Sequence, residues 1–208
     1  MTRSSHRAAQ SAIVLLVSLS ACSSPTQMTG DTERLVASGF AAAPPALAAR
    51  ILQDDSQRAC STGDAASLES RTSDVAAQAR ATMRYPATGR LVGDWKVGEK
   101  LAYSGAGGRI RDGLIEKVEA NGGNCYACHA LSPREPNAGT LGPNLIGWGR
   151  LRGSDASAAR HAYESIYNRW AFQPCSAMPR LGASGFLSTE QVAHLVAYLV
   201  DPESPVNR

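Results

Sequence analysis

The chain is short of aromatic residues, of charge and of long apolar runs. Only 6% of its 208 residues are aromatic and 19% are charged. Alanine and glycine take up the difference, a balance ordinary for a helical globular protein. The formal net charge of +3 is too small to imply nucleic acid as a partner. The apolar stretch from Ala12 to Leu19 is too short to span a bilayer as a stable helix. No internal repeat is evident, and no low-complexity run beyond the alanine bias. No βαβ pattern surrounds any cysteine, which removes the usual setting of a thiol-redox pair.

The start of the chain has a different character. Arg3, His6 and Arg7 precede the apolar core, and residues 1–21 read as an export signal. It ends in Leu19-Ser20-Ala21-Cys22, which resembles a bacterial lipobox, where the cysteine becomes the lipidated first residue. Acyl chains on Cys22 would hold the protein at a membrane surface. Ordinary cleavage at a small-residue site would release it instead. Either route places the mature protein outside the cytoplasm, in the periplasm of a bacterium.

Residues 22–84 read as a tether and a helical extension, and 85–208 as the principal domain. Residues 23–33 are mostly Ser, Pro, Thr, Gln and Gly and suggest a flexible tether. Pro45 starts a helix bearing Leu47, Ile51 and Leu52. Cys60-Ser61-Thr62-Gly63 reads as a turn, and Asp64 to Arg84 as a second helix carrying Leu68, Val75, Ala79 and Met83. Residues 85–108 lack clear periodicity and read as a wrapping loop. In residues 109–120, Ile110, Leu114 and Val118 recur every four positions and predict a helix. Gly122-Gly123 stops it. Ser154 to Trp170 predicts a helix with Tyr163, Ile166, Tyr167 and Trp170 on one stripe and Ser154 as its cap. The last helix begins at a capping box of Ser188 and Gln191 and carries Val192, Leu195, Val196 and Leu199. Charge is uneven: residues 54–74 are acidic, whereas residues 150–180 carry Arg150, Arg152, Arg160, Arg169 and Arg180. That basic stretch is either a steering surface for an acidic partner or a solvated face without consequence.

Asn124-Cys125-Tyr126-Ala127-Cys128-His129 contains C-x-x-C-H, the attachment pattern of a c-type haem. Two thiols three positions apart on a short helical turn can reach both vinyl groups along one porphyrin edge. His129 is then aimed at the iron as proximal ligand. A zinc ribbon would need a second C-x-x-C or a His pair, and neither is present. Three downstream residues compete for the opposite iron face. His161 and His194 fall inside predicted helices, off or at the edge of the apolar stripes, and read as surface or boundary histidines. Met178 lies in Cys175-Ser176-Ala177-Met178-Pro179-Arg180, between two helices, where a non-helical loop can bring a thioether over the haem. The competing reading of Met178 is a core methionine. His/Met ligation raises the reduction potential and leaves no open coordination position, which suits electron transfer.

The order helix, C-x-x-C-H, loop, helix, methionine loop, helix is that of class I cytochrome c. The expected fold is therefore mainly α, a class I cytochrome c with an α-helical N-terminal extension. In that pattern Gly142-Pro143 supplies a carbonyl, that of Pro143, to His129 Nδ1. Several stretches narrow the likeness: Tyr85-Pro86, Gly93-Asp94-Trp95-Lys96-Val97-Gly98-Glu99-Lys100, Gly139-Thr140-Leu141-Gly142-Pro143, Cys175 to Arg180, and the ending from Asp201 to Asn207. Together with the haem motif they resemble SoxX, the monohaem subunit of the sulfur-oxidising complex SoxAX. The resemblance runs from about Tyr85 to Asn207. It implies an electron-transfer subunit of a heteromeric L-cysteine S-thiosulfotransferase, which joins thiosulfate oxidatively to a cysteine of the SoxYZ carrier. SoxA would hold the sulfur chemistry, and SoxX would pass electrons to a soluble cytochrome c. No catalytic residue for sulfur transfer is expected in this chain. The alternative is a free-standing periplasmic cytochrome serving a respiratory oxidase.

Five cysteines occur. Haem would use Cys125 and Cys128, and Cys22 belongs to the signal. Cys60 and Cys175 remain, and an exported protein tends not to leave two thiols free. They form a disulfide on this reading. Otherwise Cys175 is a packing residue and Cys60 an exposed thiol, or either meets a partner.

Overall fold

The computed structural model describes residues 25–61, 68–108, 110–111, 114–115 and 120–208. The export signal and Cys22 lie outside them. The helices in chain order are Pro25–Gly39 (α1), Pro45–Ile51 (α2), Asp55–Ser61 (α3), Leu68–Ala81 (α4), Trp95–Tyr103 (α5), Trp148–Arg152 (α6), Ala156–Tyr167 (α7) and Thr189–Val200 (α8). Two-residue strands, Ile110–Arg111 (β1) and Leu114–Ile115 (β2), pair antiparallel with Arg111 opposite Leu114. The fold is mainly α and is the class I cytochrome c fold.

The principal core is built on α8. Ser188 and Gln191 close the reciprocal capping box that the sequence predicts, satisfying two amides left open at the helix start. Val192, Leu195, Val196 and Leu199 are buried, but so are Ala193, Ala197, Tyr198 and Val200. A helix buried on so many sides must be packed by several neighbours. Helix α7 supplies Ala159, Ala162, Tyr163, Ile166 and Tyr167. Asp155, not Ser154, caps it by accepting from the Ala158 amide at 2.8 Å. Trp170 falls beyond the helix, in a 3-10 turn spanning Arg169–Ala171.

The other neighbour, α5, corrects two expectations. The stretch read as a loop contains this helix, and the stretch read as a helix contains β1 and β2 in its described part. Asp94 caps α5 by accepting from the Lys96 amide at 2.8 Å. Its buried face is Gly98, Leu101 and Ala102, an i, i+3, i+4 set that glycine hides from an apolar count. The close approach requires that glycine. A Cβ at Gly98 would lie 2.0 Å from the His194 carbonyl oxygen and 2.9 Å from Tyr198 Cβ. The Gly93 amide donates to the Ala193 carbonyl at 2.9 Å, and the Asp94 amide to His194 Nδ1 at 2.8 Å. Helix α5 thus occupies the place beside the terminal helix that residues 109–120 were expected to fill. In those residues Asp112-Gly113 stands between paired Arg111 and Leu114, and Asp-Gly is a two-residue hairpin signal that outweighs the four-residue apolar spacing.

The extension is helical from its first described residue. Residues 25–33 of the expected tether lie in α1, in which Leu35 is exposed, as is Phe40 just beyond it. Cys60 and Ser61 end α3 rather than forming a turn; Thr62 and Gly63 lie outside the described residues. Helix α4 packs onto the 3-10 turn after α7, where Val75, Ala79, Trp170 and Ala171 form a second buried cluster. Ala59, Cys60 and Met83 border it. Tyr163 donates its hydroxyl to the Arg84 carbonyl at 2.9 Å, and Asn168 Nδ2 donates to Thr82 Oγ1 at 3.1 Å. Among the described residues no helix is long and apolar enough to cross a membrane.

Candidate haem site

Asn124 takes a left-handed conformation, φ +48°, and turns the chain into a 3-10 turn over Cys125–Ala127. The Cys128 and His129 amides both donate to the Cys125 carbonyl, at 3.1 and 2.9 Å. The two thiols are not bonded to each other. Burial pushes the Cys125 thiol up to about 11, so it stays protonated. Among the described residues no three His, Cys, Asp or Glu side chains converge as a metal cluster.

His129 is buried, and its Nδ1 lies 2.7 Å from the Pro143 carbonyl oxygen. A carbonyl cannot donate, so Nδ1 carries the hydrogen and donates. In the neutral ring Nε2 is then unprotonated and available to a metal. The backbone that holds this geometry is a strap laid along the motif. The Gly139 amide donates to Tyr126 at 3.0 Å, the Gly142 amide to Cys128 at 2.8 Å, and the Leu145 amide to Ala130 at 2.9 Å. The strap comes close enough to exclude side chains. A Cβ at Gly142 would lie 2.3 Å from the His129 ring, and one at Gly139 would lie 2.1 Å from the Ala127 carbonyl oxygen.

Met178 is half-buried and packs against the principal core, between α7 and α8 in the chain. Its amide donates to Ser176 Oγ at 3.2 Å. The Trp170 indole Nε1–H donates to the Ser176 carbonyl at 2.8 Å. Cys175 and Cys60 are joined in a disulfide, with Cα atoms 5.4 Å apart. The competing free-thiol reading of these two cysteines is thereby corrected. His194 is tied to the start of α5 by its Nδ1, and His161 is exposed with its ring 4.8 Å from Phe172.

Sequence reasoning missed two supports. One is Trp170, read only as a stripe residue of a longer helix. The other is the pair Tyr103 and Glu135, whose hydroxyl-to-carboxylate bond fastens α5 to the loop after the motif. Glu135 also accepts from the Leu131 amide at 3.0 Å, and Tyr103 stacks on Tyr126 at 5.6 Å between centroids. Burial, and then Glu135, drive the Tyr103 phenol far above its ordinary value. Nothing in the spacing of Tyr103 and Glu135 announces the pair.

Two thiols free of each other, an imidazole with Nε2 unprotonated and a glycine strap that leaves the ring its room fit a covalently attached haem. The comparisons agree. The family model for cytochrome c matches residues 117–201, a span that includes Cys125, Cys128, His129, Pro143 and Met178. A protein of Aquifex aeolicus (strain VF5) described as an uncharacterized lipoprotein is 42% identical over 159 residues, 75% of this chain and 73% of that protein. Those 159 residues exceed the length of residues 85–208, so the likeness reaches into the extension. On these matches the chain carries a cytochrome c domain, and its cofactor is covalently bound haem c with iron.

Proposed function

We propose that this cytochrome is an exported monohaem electron carrier working as the SoxX subunit of SoxAX, with residues 85–208 as the haem domain and 22–84 as tether and extension. One observation carries the reading. The segments that resemble SoxX are the ones on which the site is built. Gly93 to Lys100 makes the close crossing with α8 through Gly98. Gly139 to Pro143 is the strap on His129. Cys175 to Arg180 is the methionine loop.

Haem c supplies reversible one-electron exchange at its iron. Cys125 and Cys128 anchor it by thioethers. His129, oriented by Pro143, and Met178 would hold its iron. An iron held by two side chains of this protein would offer thiosulfate no position. Joining thiosulfate to a SoxYZ cysteine releases two electrons, and a single iron takes them one at a time. The bond-forming chemistry therefore belongs to the partner, SoxA, and this chain relays electrons singly to a soluble cytochrome c. The thioether of Met178 would favour the ferrous state and so raise the potential, which suits the haem to accept electrons from its partner.

The lipobox-like Leu19-Ser20-Ala21-Cys22, together with the printed description of the Aquifex relative as a lipoprotein, supports lipidation of Cys22 and a periplasmic, membrane-anchored protein. The test is expression of the full chain beside a candidate SoxA in a host that matures c-type haem. A stable heterodimer whose haem is reduced only when thiosulfate and SoxYZ are both present supports the reading. A chain that purifies alone, and whose deletion leaves thiosulfate oxidation intact, points instead to a free-standing cytochrome serving a respiratory oxidase.

A further inference from the structure

Three separate links run from the extension to the six-residue segment Cys175–Arg180 or to the tryptophan that holds it. Cys60 of α3 is bonded to Cys175. Asp54, just before α3, accepts from the Arg180 guanidinium at 2.6 Å. Val75 and Ala79 of α4 pack on Trp170. The links are also tied to one another. The Arg180 guanidinium lies 4.6 Å from the Trp170 ring centroid. Asp54 is fixed in turn by Gln57, whose amide donates to it at 2.8 Å. A cleft of about 240 Å³ remains along this seam, bordered by Gln78, Thr82 and Asn168 as well as Asp54, Trp170 and Arg180. The ion pair and the disulfide are discrete contacts along this cleft, whereas Val75 and Ala79 enclose Trp170 in the second buried cluster.

The segment they hold does not hold itself. Cys175 has φ +62°, a conformation disfavoured for a residue with a Cβ. Ser176, Ala177 and Met178 belong to no helix or strand. Three bonds set their shape: the Ser176 amide to the Gln173 carbonyl at 3.2 Å, the Trp170 indole to the Ser176 carbonyl at 2.8 Å and the Met178 amide to Ser176 Oγ at 3.2 Å. Met178 cannot swing outward as part of this loop without breaking the second of these or dragging Trp170 from beneath α4.

We propose that the N-terminal extension is a ligand clamp, in which Asp54 acting through Arg180, Cys60 through Cys175, and Val75 and Ala79 through Trp170 are positioning residues that keep Met178 on the iron against competing ligands. The proposal rests on Met178 being the distal ligand. The extension, whose role the sequence leaves open, then sets how readily the haem can be invaded by a small nucleophile, rather than making any contact with haem itself.

The experiment titrates imidazole into the oxidised, haem-loaded full chain and follows the near-infrared thioether-to-iron band. Trp170→Phe keeps an aromatic ring under α4 and removes the Nε1–H donor together with one ring's volume. Asp54→Asn removes the charge that pairs with Arg180 at the surface. Tyr85→Phe, which loses a 2.7 Å bond to Glu164 away from the loop, is the control. The expected result is the band in all four proteins before imidazole is added. Imidazole then binds about fivefold more tightly to Trp170→Phe, the factor for one closing hydrogen bond. It binds about threefold more tightly to Asp54→Asn, as an exposed ion pair allows. Tyr85→Phe matches the wild type. Equal imidazole affinity in wild type, Trp170→Phe and Asp54→Asn, with the band present throughout, overturns the clamp even if the variants unfold more easily. A wild type without the band overturns the ligand assignment itself and the clamp with it. If Trp170→Phe fails to load haem, Asp54→Asn decides alone.

Discussion

Gly98 crosses α8 so closely that a Cβ on it would lie 2.0 Å from the His194 carbonyl oxygen. That contact is between backbones, and neither can step aside without moving its helix. Gly98→Ala therefore forces α5 away from α8 and opens the core around Leu101 and Tyr198. Overpacking of this kind costs about 1–3 kcal/mol, and the better helix propensity of alanine returns at most about 1 kcal/mol. A net loss of about 2 kcal/mol in denaturant unfolding of the haem-loaded protein is expected. A variant as stable as the wild type would show that the crossing has room to spare.

The Cys60–Cys175 bond closes a loop between residues 115 positions apart. Constraining so long a loop in the unfolded chain stabilises by about 4–5 kcal/mol in the entropic model, an upper value. Cys60→Ser should lower stability by a large part of that amount. It should leave haem attachment at Cys125 and Cys128 untouched, because the bond lies on the extension side of Trp170. The measurement is unfolding midpoint against intact mass. Unchanged stability in Cys60→Ser would remove the bond from the account of the fold.

Asp54 gives the seam a pH dependence. Partial burial raises its pKa, but the Gln57 amide and then the Arg180 guanidinium outweigh burial and hold the carboxyl below its ordinary value. A depressed carboxyl contributes stability that is complete above its unfolded pKa and is lost as pH falls through its folded one. The stability difference between wild type and Asp54→Asn should thus be present at neutral pH and be lost as pH falls below the ordinary carboxylate range. A difference that persists unchanged in acid would assign it to shape rather than charge.

How far the sequence could be read depended on whether a signal was local. The capping box at Ser188 and Gln191 is two side chains closing on adjacent amides, and it appears as expected. The same holds for C-x-x-C-H and for the buried stripe of α8. Helix α5 was missed because its buried face centres on a glycine, whose value lies in what it lets come near. Ile110 and Leu114 recur four positions apart as on a helix, yet they lie on paired strands, because a short apolar spacing does not separate helix from strand. Trp170 and the Tyr103–Glu135 pair are joined to their partners only by the fold, so no spacing could reveal them. The Cys60–Cys175 bond followed from elimination alone, without any view of the distance between the two residues.

The distal ligand is the point at which the account is most exposed. Met178→Ala should keep one covalently bound haem by intact mass, since Cys125 and Cys128 are unaffected. It should also lose the near-infrared thioether-to-iron band that the wild type displays. Met178→His should stay low-spin with a lower reduction potential, because imidazole favours the ferric state more than a thioether does. One spectrum of the oxidised protein, recorded for wild type and Met178→Ala with the mass of each, tests the central claim. The account predicts one added haem in both and the band in the wild type alone. No added haem on the wild type, or a band unchanged in Met178→Ala, would contradict it.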